Sequence, residues 1–197
     1  KWFEVYAFAF GEPGSGQVAI FFKDVNARVR NEARDQFLLR LDDALRSLAD
    51  PREVMCSACR LLGEHLGVER CAYADVEPDE AHFNLRDDWT RGVPSIIGRF
   101  SFAAFGQACL DAMRAGVPLV IDDSERDPRC REALEGFRAI QARSMIGVPL
   151  RQRGRFVAGL AVHHVVPRRW RADEVDLVER VALRCWESIE RARVAQA

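Results

Sequence analysis

The stretch SMIGVPLRQRGRFVAGLAVHH, residues 144–164, decides the fold of this chain. It contains two apolar runs, SMIGVPL and FVAGLAVHH, which are separated by the charged, glycine-containing segment RQRGR. Apolar runs of this length that are bounded by turn residues are typical of buried strands, and a short polar connection joins two such strands as an antiparallel hairpin. The stretch therefore predicts an antiparallel sheet with helices on both faces.

The segments around this hairpin predict an α+β fold, an α/β sandwich in which the sheet lies between helices. Apolar residues at steps of three and four indicate amphipathic helices, and Pro or Gly residues mark several of their ends. In VERCAYADV, Ala72 and Ala74 alternate with Cys71 and Tyr73, as in a strand with two different faces. Strands are expected at 68–76, 82–89 and 117–123, and helices at 28–49, 51–66, 105–115, 128–140 and 172–194.

The connector RGVPSIIGRFSFAAFG, residues 91–106, is too apolar for an ordinary solvated loop. It carries Phe100, Phe102 and Phe105, and long connectors in compact domains are often functional. We expect this connector to form the wall of a site.

The N-terminal segments KWFEVYAFAF, GEPGSG and QVAIFFKDV predict a strand, a turn and a second strand. An isolated two-stranded hairpin is marginally stable at best in water. We therefore expect this hairpin to belong to a larger sheet whose other strands lie outside the sequence.

Composition excludes several classes of function. The net charge is −1 although 30% of the residues are charged, so no broad basic surface is expected to bind nucleic acid. No apolar run approaches the roughly 18–20 residues that span a bilayer, so no membrane association is expected. The six cysteines are scattered through apolar stretches, which favours reduced thiols and a cytoplasmic location.

The last helix, 172–194, carries apolar residues at alternating steps of three and four, as on a heptad seam. The seam is too short to establish a coiled coil by itself, so two interpretations remain: pairing with a second copy, or packing on its own sheet. The seam residues are Val175, Val178, Ala182, Cys185, Ile189 and Ala192.

The segment FFKDVNARVR resembles the last strand and the exit of a PAS domain, in which an Asp-Ile-Thr-like tripeptide leads into a signalling helix. The tripeptide here is Asp24-Val25-Asn26, so two of its three positions depart from that pattern. The resemblance implies that 1–27 is the C-terminal hairpin of a truncated PAS domain and that 28–49 is a linker or signalling helix.

Residues 36–194 resemble a GAF domain, with a six-stranded antiparallel sheet flanked by helices and the last helix included. The resemblance rests on the order of elements and on RDDWTRGVPSIIGRF, GVPLVIDDSERDP and the run from SMIGVPL to RRWRADEVDLVERVA. One departure is Arg171-Ala172, where such domains usually have Thr or Ser before the last helix. The combination is similar to PAS-GAF sensor histidine kinases of the HWE type.

The resemblance implies a sensory or signal-relay module of a bacterial two-component sensor. It implies a homodimer formed through the N- and C-terminal helices, with a histidine kinase core downstream in the same chain. None of the four histidines is placed for a phosphorelay, and no phosphate-binding loop is present, so the chain itself is not expected to be an enzyme.

In GAF domains a small molecule lies between one face of the sheet and the long connectors. The resemblance therefore implies candidate ligand-binding residues, with Asp75, Arg99 and Gln107 as polar candidates by position. The alternatives are that the same residues fill a solid core and that the domain serves only for dimerisation and spacing. The ligand-binding candidates are Tyr73, Trp89, Phe100, Phe102, Phe105 and Met145.

Three other groups of residues allow a chemical interpretation, although no cofactor is required. Cys130 is a candidate for covalent bilin attachment by its position, but Arg131 follows it where photoreceptors have His. Cys56 and Cys59 form a C-x-x-C pair inside a helix without a second pair, so we expect no metal there. The acidic run from Asp122 to Asp127 is better explained by a strand end and a helix cap than by a cation site.

Overall fold

The computed structural model describes residues 1–10 and 17–196, so the predicted turn GEPGSG lies outside the described residues. The chain divides into two units, Lys1–Arg40 and Leu41–Ala197. Helix α1, Asn26–Arg46, begins in the first unit and ends in the second.

The first unit contains an antiparallel hairpin of β1 (Phe3–Ala9) and β2 (Val18–Asp24), as predicted. The register pairs Phe3 with Asp24 and Ala9 with Val18, so each face carries alternate residues of both strands. Large apolar side chains are exposed on both faces, with Phe22 at 68% and Phe21 at 59%. The hairpin therefore presents an amount of apolar surface that monomeric proteins rarely leave in water.

The junction between β2 and α1 is held by a local hydrogen-bond network. Asp24 Oδ1 accepts hydrogen bonds from the backbone and side-chain nitrogens of Asn26, at 2.8 and 2.6 Å. Asn26 Oδ1 in turn accepts one from the backbone N–H of Trp2 at 2.8 Å, and Arg28 forms an ion pair with Glu4. These bonds fix the direction in which the helix leaves the hairpin.

The second unit is built on a six-stranded sheet with the strand order β5-β4-β3-β8-β7-β6, in which every neighbouring pair is antiparallel. The hairpin of residues 144–164 is present as predicted. Its two strands, β7 and β8, lie between β3 and β6 in the sheet. Its strands are fixed by a turn at Arg153 and Gly154, both of which have positive φ. The six strands are β3 (Arg70–Val76), β4 (His82–Thr90), β5 (Gly98–Ser101), β6 (Leu119–Ile121), β7 (Ser144–Gln152) and β8 (Arg155–His164).

Helices α2 (Pro51–Leu66) and α5 (Ala172–Gln196) cover one face of this sheet. The predicted ends of α2 are confirmed: the Asp50 side chain caps the N-terminus, and Gly67 ends the helix in the left-handed conformation at φ 65°. The other face is covered by α3 (Gln107–Ala115), α4 (Leu134–Ala139) and two 3-10 segments, Phe102–Phe105 and Pro128–Ala133.

Three sequence predictions need correction. Helix α1 ends at Arg46 and not at residue 49. The connector 91–106 contains β5 and a 3-10 segment, because Gly98–Ser101 pairs with the edge of β4. The helix predicted over 128–140 consists of a 3-10 turn followed by the short α4.

The apolar seam of α5 is buried inside the second unit. Val178, Ala182, Cys185 and Ile189 are each 0% exposed, because α5 packs on α2 and on strands β7 and β8. This confirms the interpretation in which the helix packs on its own sheet. The seam is therefore occupied within one chain and is not free to pair with a second copy.

The start of α5 is stabilised by carboxylates, as its first turn requires. Glu174 accepts a hydrogen bond from the backbone N–H of Arg171 at 2.9 Å, and it pairs with the Arg168 side chain at 2.5 Å. Glu174 thus supplies the cap that Arg171 and Ala172 lack. No helix among the described residues has the length and apolar character needed to cross a membrane.

Candidate functional site

The second unit contains a cavity of about 90 Å³ between the sheet and the α3–α4 layer. Its floor consists of alanine and glycine residues in the three central strands. The register places Ala72, Ala161 and Gly147 side by side across β3, β8 and β7, with Ala74 and Gly159 in a neighbouring row. Because these residues carry almost no side chain, they leave unfilled space between the central strands and the α3–α4 layer, and this space is the cavity.

The walls of the cavity are aromatic. Phe83 lies at the centre of the wall, with ring centroids 4.6 Å from Phe102 and 5.4 Å from Phe100. Phe105 packs edge-on against Phe137 at 5.5 Å. Tilted and edge-on contacts of this kind make a rigid apolar lining. The remaining wall includes Phe156, Met113 and Met145.

The structure brings together four of the six predicted ligand-binding residues. Phe100, Phe102, Phe105 and Met145 all line the cavity. The connector 91–106, which was expected to form a wall, supplies the first three through β5 and the following 3-10 segment.

Tyr73 and Trp89 are placed elsewhere. Tyr73 points to the opposite face of β3, where its buried hydroxyl has no hydrogen-bond partner among the described residues and burial raises its pKa. Trp89 packs on α2 so closely that a Cβ at Gly63 would lie 2.3 Å from its ring. Neither side chain contributes to the cavity lining.

The three polar candidates also lie outside the lining. Asp75 pairs with Arg193 of α5 at 2.9 Å, and Gln107 donates a hydrogen bond to Asp111 at 2.7 Å. Arg99 donates two hydrogen bonds to Glu77, at 2.7 and 2.9 Å. Each of these groups is occupied by a partner at the surface of the unit.

The polar side chain that does line the cavity is His163, the penultimate residue of β8. It is 6% exposed, and the register pairs it with Arg70 on one side and Met145 on the other. Burial, with a smaller contribution from the Arg70 charge, lowers the pKa of His163 to about 3. His163 is therefore a neutral imidazole at physiological pH.

Arg70 holds the end of the cavity together. Its guanidinium donates hydrogen bonds to the backbone oxygens of Ile140 at 2.6 Å and Pro94 at 2.7 Å. Its Nε lies 3.7 Å from Asp88, and both side chains are almost fully buried. Asp88 also accepts hydrogen bonds from Ser95 and from the backbone N–H of Ile96, at 2.7 and 2.8 Å. The buried pair thus fastens the connector to the sheet at the point where Ile96 and Ile140 close the cavity.

Cys130, the candidate for chromophore attachment, lies in the core beside the cavity and not in its lining. Its side chain is 1% exposed, and burial raises the pKa of the thiol to about 11. A thiol of this kind is largely protonated at neutral pH and is a poor nucleophile.

The C-x-x-C pair does not act as a unit. Cys56 is exposed, and its thiol contacts Asp87 at 3.0 Å. Cys59 is buried and lies against Cys71, with Cys185 of α5 also close by. Burial raises the pKa of Cys71 and of Cys185 well above the ordinary value, so these thiols behave as small core side chains.

The acidic run is engaged by the protein itself, as expected. Asp122 accepts a hydrogen bond from the Trp170 backbone at 3.0 Å, and Asp127 caps the 3-10 turn through Arg129. Among the described residues, one group has the spacing of a cation site, and it is not the acidic run but Glu77, Asp79 and His82 at the β3–β4 turn. Both carboxylate oxygens of Glu77 are held by Arg99.

This fold, with a cavity under one face of a six-stranded antiparallel sheet, defines a class of small α+β sensory modules. A family model for the GAF domain matches residues 50–189, and the chain belongs to the GAF family. No curated protein matched the sequence.

Solved structures of the same fold come from functionally different proteins. A phycoerythrobilin-bound GAF domain from a cyanobacterial phytochrome is 15% identical, with 83% of this chain and 98% of that chain covered and a TM-score of 0.70. A free methionine-R-sulfoxide reductase from Neisseria meningitidis is 18% identical, with 82% and 91% covered and a TM-score of 0.65. The likeness is at the level of the fold.

A longer match includes the N-terminal unit. The chromophore-binding domain of a bacteriophytochrome from R. palustris is 13% identical, with a TM-score of 0.69. That match covers 98% of this chain and 70% of that chain.

Proposed function

We propose that the second unit is the sensory module of a signalling protein and that its cavity binds a small apolar molecule. The observation that carries the proposal is the combination of an alanine and glycine floor with a phenylalanine wall. A solid core would fill this space, because protein interiors are normally packed to the density of organic crystals.

Occupancy of the cavity has a short physical route to the C-terminal helix. Strands β7 and β8 form part of the cavity floor with one face and contact α5 with the other. A ligand that binds more tightly to one packing of α5 than to another shifts the balance between the two packings. The module acts as a switch and needs no catalytic residues.

The parent protein that fits this arrangement is a cytoplasmic two-component sensor histidine kinase of the HWE type, with a PAS domain before the GAF domain and the kinase core after it. The exposed apolar faces of the β1–β2 hairpin support this proposal, since they need further strands to cover them. The long match to a phytochrome chain that extends beyond this one is also consistent with it.

Dimerisation through the terminal helices is part of the proposal, but the buried seam of α5 limits where it occurs. The outward face of α5 carries Leu183 at 48% exposed and Val194 at 77% exposed. A dimer would use this face, and the apolar seam would remain within each chain. Analytical ultracentrifugation of the parent protein tests it: a Leu183→Glu variant should shift the dimer towards monomer, and an unchanged dimer would place the contact elsewhere.

Covalent bilin binding through Cys130 receives no support from the site. A cavity of about 90 Å³ lies well below the roughly 300–1,000 Å³ of sites for larger ligands, and Cys130 does not line it. Expression with a bilin-synthesis pathway should yield a colourless protein, whereas a visible band that is lost in Cys130→Ala would establish the photosensory alternative.

The chain carries its own probes for the ligand test, because Met113 and Met145 line the cavity and Met55 lies in α2 on the other side of the sheet. The protein is labelled with ¹³C in its methionine methyl groups and titrated with 2-methyl-1-butene, a compact apolar probe. The Met113 and Met145 signals should shift in a saturable manner before Met55 changes. Unchanged signals for all three at saturating probe would favour a purely structural GAF domain.

Hydrogen exchange then tests the relay. Saturation with the same probe should alter the exchange rates of amides in α5 where it contacts β7 and β8. If exchange in α5 is identical with and without the probe, the cavity binds a ligand but does not transmit the binding to α5.

A further inference from the structure

His163 brings a hydrogen-bonding imidazole to the lining of the apolar cavity. The cross-strand register places Arg70, His163 and Met145 in one row on the cavity face of the sheet. His163 Nδ1 lies 3.4 Å from the Arg70 guanidinium. This contact decides which nitrogen of the ring carries the proton.

An arginine guanidinium donates hydrogen bonds and cannot accept them. Nδ1 of His163 must therefore be the unprotonated, accepting nitrogen, and the neutral ring carries its proton on Nε2. The ring is neutral because its pKa is lowered to about 3 by burial. Arg70 cannot change this by losing a proton, since arginine stays charged in proteins.

The Nε2–H group has no partner from the protein. Within the described residues, the contact with Arg70 is the one hydrogen bond made by the His163 side chain. His163 is 6% exposed and borders the cavity, where its neighbours include Met145, Ala161 and Ile140. His163 Nε2 is not among the fully buried side-chain atoms that lack a partner in the described residues, so it is accessible from the cavity, where a ligand acceptor can bind it and displace water.

The rest of the cavity restricts what such a ligand is. An apolar cavity of about 150 Å³ holds benzene, so a cavity of about 90 Å³ holds a body of about four or five non-hydrogen atoms. The phenylalanine wall offers no hydrogen bonds to other polar groups. The charge of Arg70 is already balanced by Asp88, so an ionic ligand would lose its hydration without gaining a counter-ion.

We infer that the cavity selects a small, neutral molecule with a compact apolar body and a single hydrogen-bond acceptor, such as a short-chain ketone or aldehyde, and that His163 Nε2–H binds this acceptor. The inference rests on the proposed function, since it assigns a ligand class to the same cavity. Arg70 acts as a positioning residue, because it orients the imidazole without contacting the ligand.

Two probes of nearly equal shape separate the inference from the proposed function. 2-Butanone and 2-methyl-1-butene differ by the exchange of a carbonyl oxygen for a methylene group. Their dissociation constants are measured from the methyl signals of Met113 and Met145 in the wild type, in His163→Leu and in the control His164→Gln. His164 is the adjacent residue, points to the other face and pairs with Glu69 at 2.6 Å.

The quantity to compare is the ratio of ketone affinity to alkene affinity, because the two probes differ in hydration before they bind. In His163→Leu this ratio should fall about five- to tenfold, as expected for one lost hydrogen bond, and in His164→Gln it should stay at the wild-type value. A ratio that is unchanged in His163→Leu, with both probes still bound, overturns the inference and leaves the proposed function standing. Failure of both probes to bind the wild type overturns both.

A second measurement on the wild-type chain does not depend on the folding of any variant. Long-range ¹H–¹⁵N correlation spectra of the histidine rings identify the protonated nitrogen. His163 should be protonated at Nε2, and the Nε2 resonance should move when 2-butanone is added but much less with 2-methyl-1-butene. Protonation at Nδ1, or equal responses to the two probes, overturns the inference.

Discussion

The two faces of the six-stranded sheet are made by alternate residues of the same strands, yet they are built in opposite ways. On the α2–α5 face, Tyr73 and Cys71 meet helices whose contact residues are almost fully buried. On the other face, Ala72, Ala161 and Gly147 leave a cavity under the α3–α4 layer. One face is packed for stability, and the other gives up packing to leave space for a ligand.

The difference shows how a strand can serve two purposes at once. Because side chains alternate along a strand, Tyr73 fills the packed face while Ala72 and Ala74 keep the cavity floor low. A change in the cavity therefore reaches the packed face through a single layer of backbone.

Replacement of Arg70 by Met should have the largest effect, since it leaves Asp88 as an unpaired buried charge on the cavity face. Breaking a buried pair in this way lowers the free energy of unfolding by about 3–5 kcal/mol. Urea denaturation measures the change. The matched control is Arg86→Met on β4, where the arginine is 68% exposed and its loss should cost less than about 1 kcal/mol. Equal losses in the two variants would show that Arg70 does not hold the cavity closed.

Truncation of Ile189 to Ala removes a fully buried side chain from the packed face. A large-to-small change of this type lowers the free energy of unfolding by about 2–5 kcal/mol. Glu179→Ala, at an exposed position of the same helix, should change it by less than about 0.5 kcal/mol.

The loss in Ile189→Ala should be independent of protein concentration, because the side chain packs within one chain. A loss that grows on dilution would instead place the α5 seam in a dimer interface.

Enlargement of one alanine on each face compares the packing directly. Ala182→Leu on the packed face of α5 should lower the free energy of unfolding by about 1–3 kcal/mol, because the added atoms find no room. Ala161→Leu fills the cavity and should be neutral or stabilising, since each buried methylene gains up to about 0.8 kcal/mol. Thermal unfolding of the two variants measures the difference. Equal destabilisation by both would mean that the cavity face is already full.

Apart from the effects of substitutions, the buried imidazole should make the stability depend on pH. Folding lowers the pKa of His163 to about 3, whereas the unfolded chain protonates near the ordinary value of 6.5. The stability is therefore present above pH 6.5 and is lost as the pH falls towards 3, with a slope of about 1.4 kcal/mol per pH unit. The charged groups that face the ring are Arg70 and, through it, Asp88.

Urea denaturation between about pH 6 and pH 4 tests this prediction. The dependence of the free energy of unfolding on pH should be weaker in His163→Leu than in the wild type by about 1.4 kcal/mol per pH unit, the contribution of one proton. His164→Gln should keep most of the wild-type slope. If the free energy of unfolding falls equally with pH in the wild type and in His163→Leu, the His163 ring takes up its proton in the folded protein as readily as in the unfolded chain.

Much of the fold could be predicted from local sequence signals. The β7–β8 hairpin follows from two apolar runs around RQRGR, and the ends of α2 follow from Asp50-Pro51 and Gly67. Strand β5 could not be predicted, because GRFS is short and becomes a strand through its pairing with β4. Likewise, the end of α1 and the 3-10 turn before α4 depend on tertiary contacts that no local pattern encodes.

The candidate site could be predicted in part. The apolar character of the connector predicts Phe100, Phe102 and Phe105 as candidates, and all three line the cavity, whereas Tyr73 lies on the other face of β3. Alternation shows that Ala72 and Tyr73 point in opposite directions, and it does not show which direction meets the ligand. His163 and His164 do point to opposite faces as expected. The role of His163 at the cavity depends on its register with Arg70, which sequence alone does not give.

The apolar cavity under one face of the sheet can be probed with xenon, which enters dry apolar cavities of this kind. Methionine-methyl NMR spectra are recorded under xenon pressure for the wild type and for Ala161→Leu. Saturable shifts of Met113 and Met145 are expected in the wild type, with little change at Met55 and loss of the shifts in Ala161→Leu. Shifts that are absent in the wild type, or that persist unchanged in Ala161→Leu, would contradict this expectation.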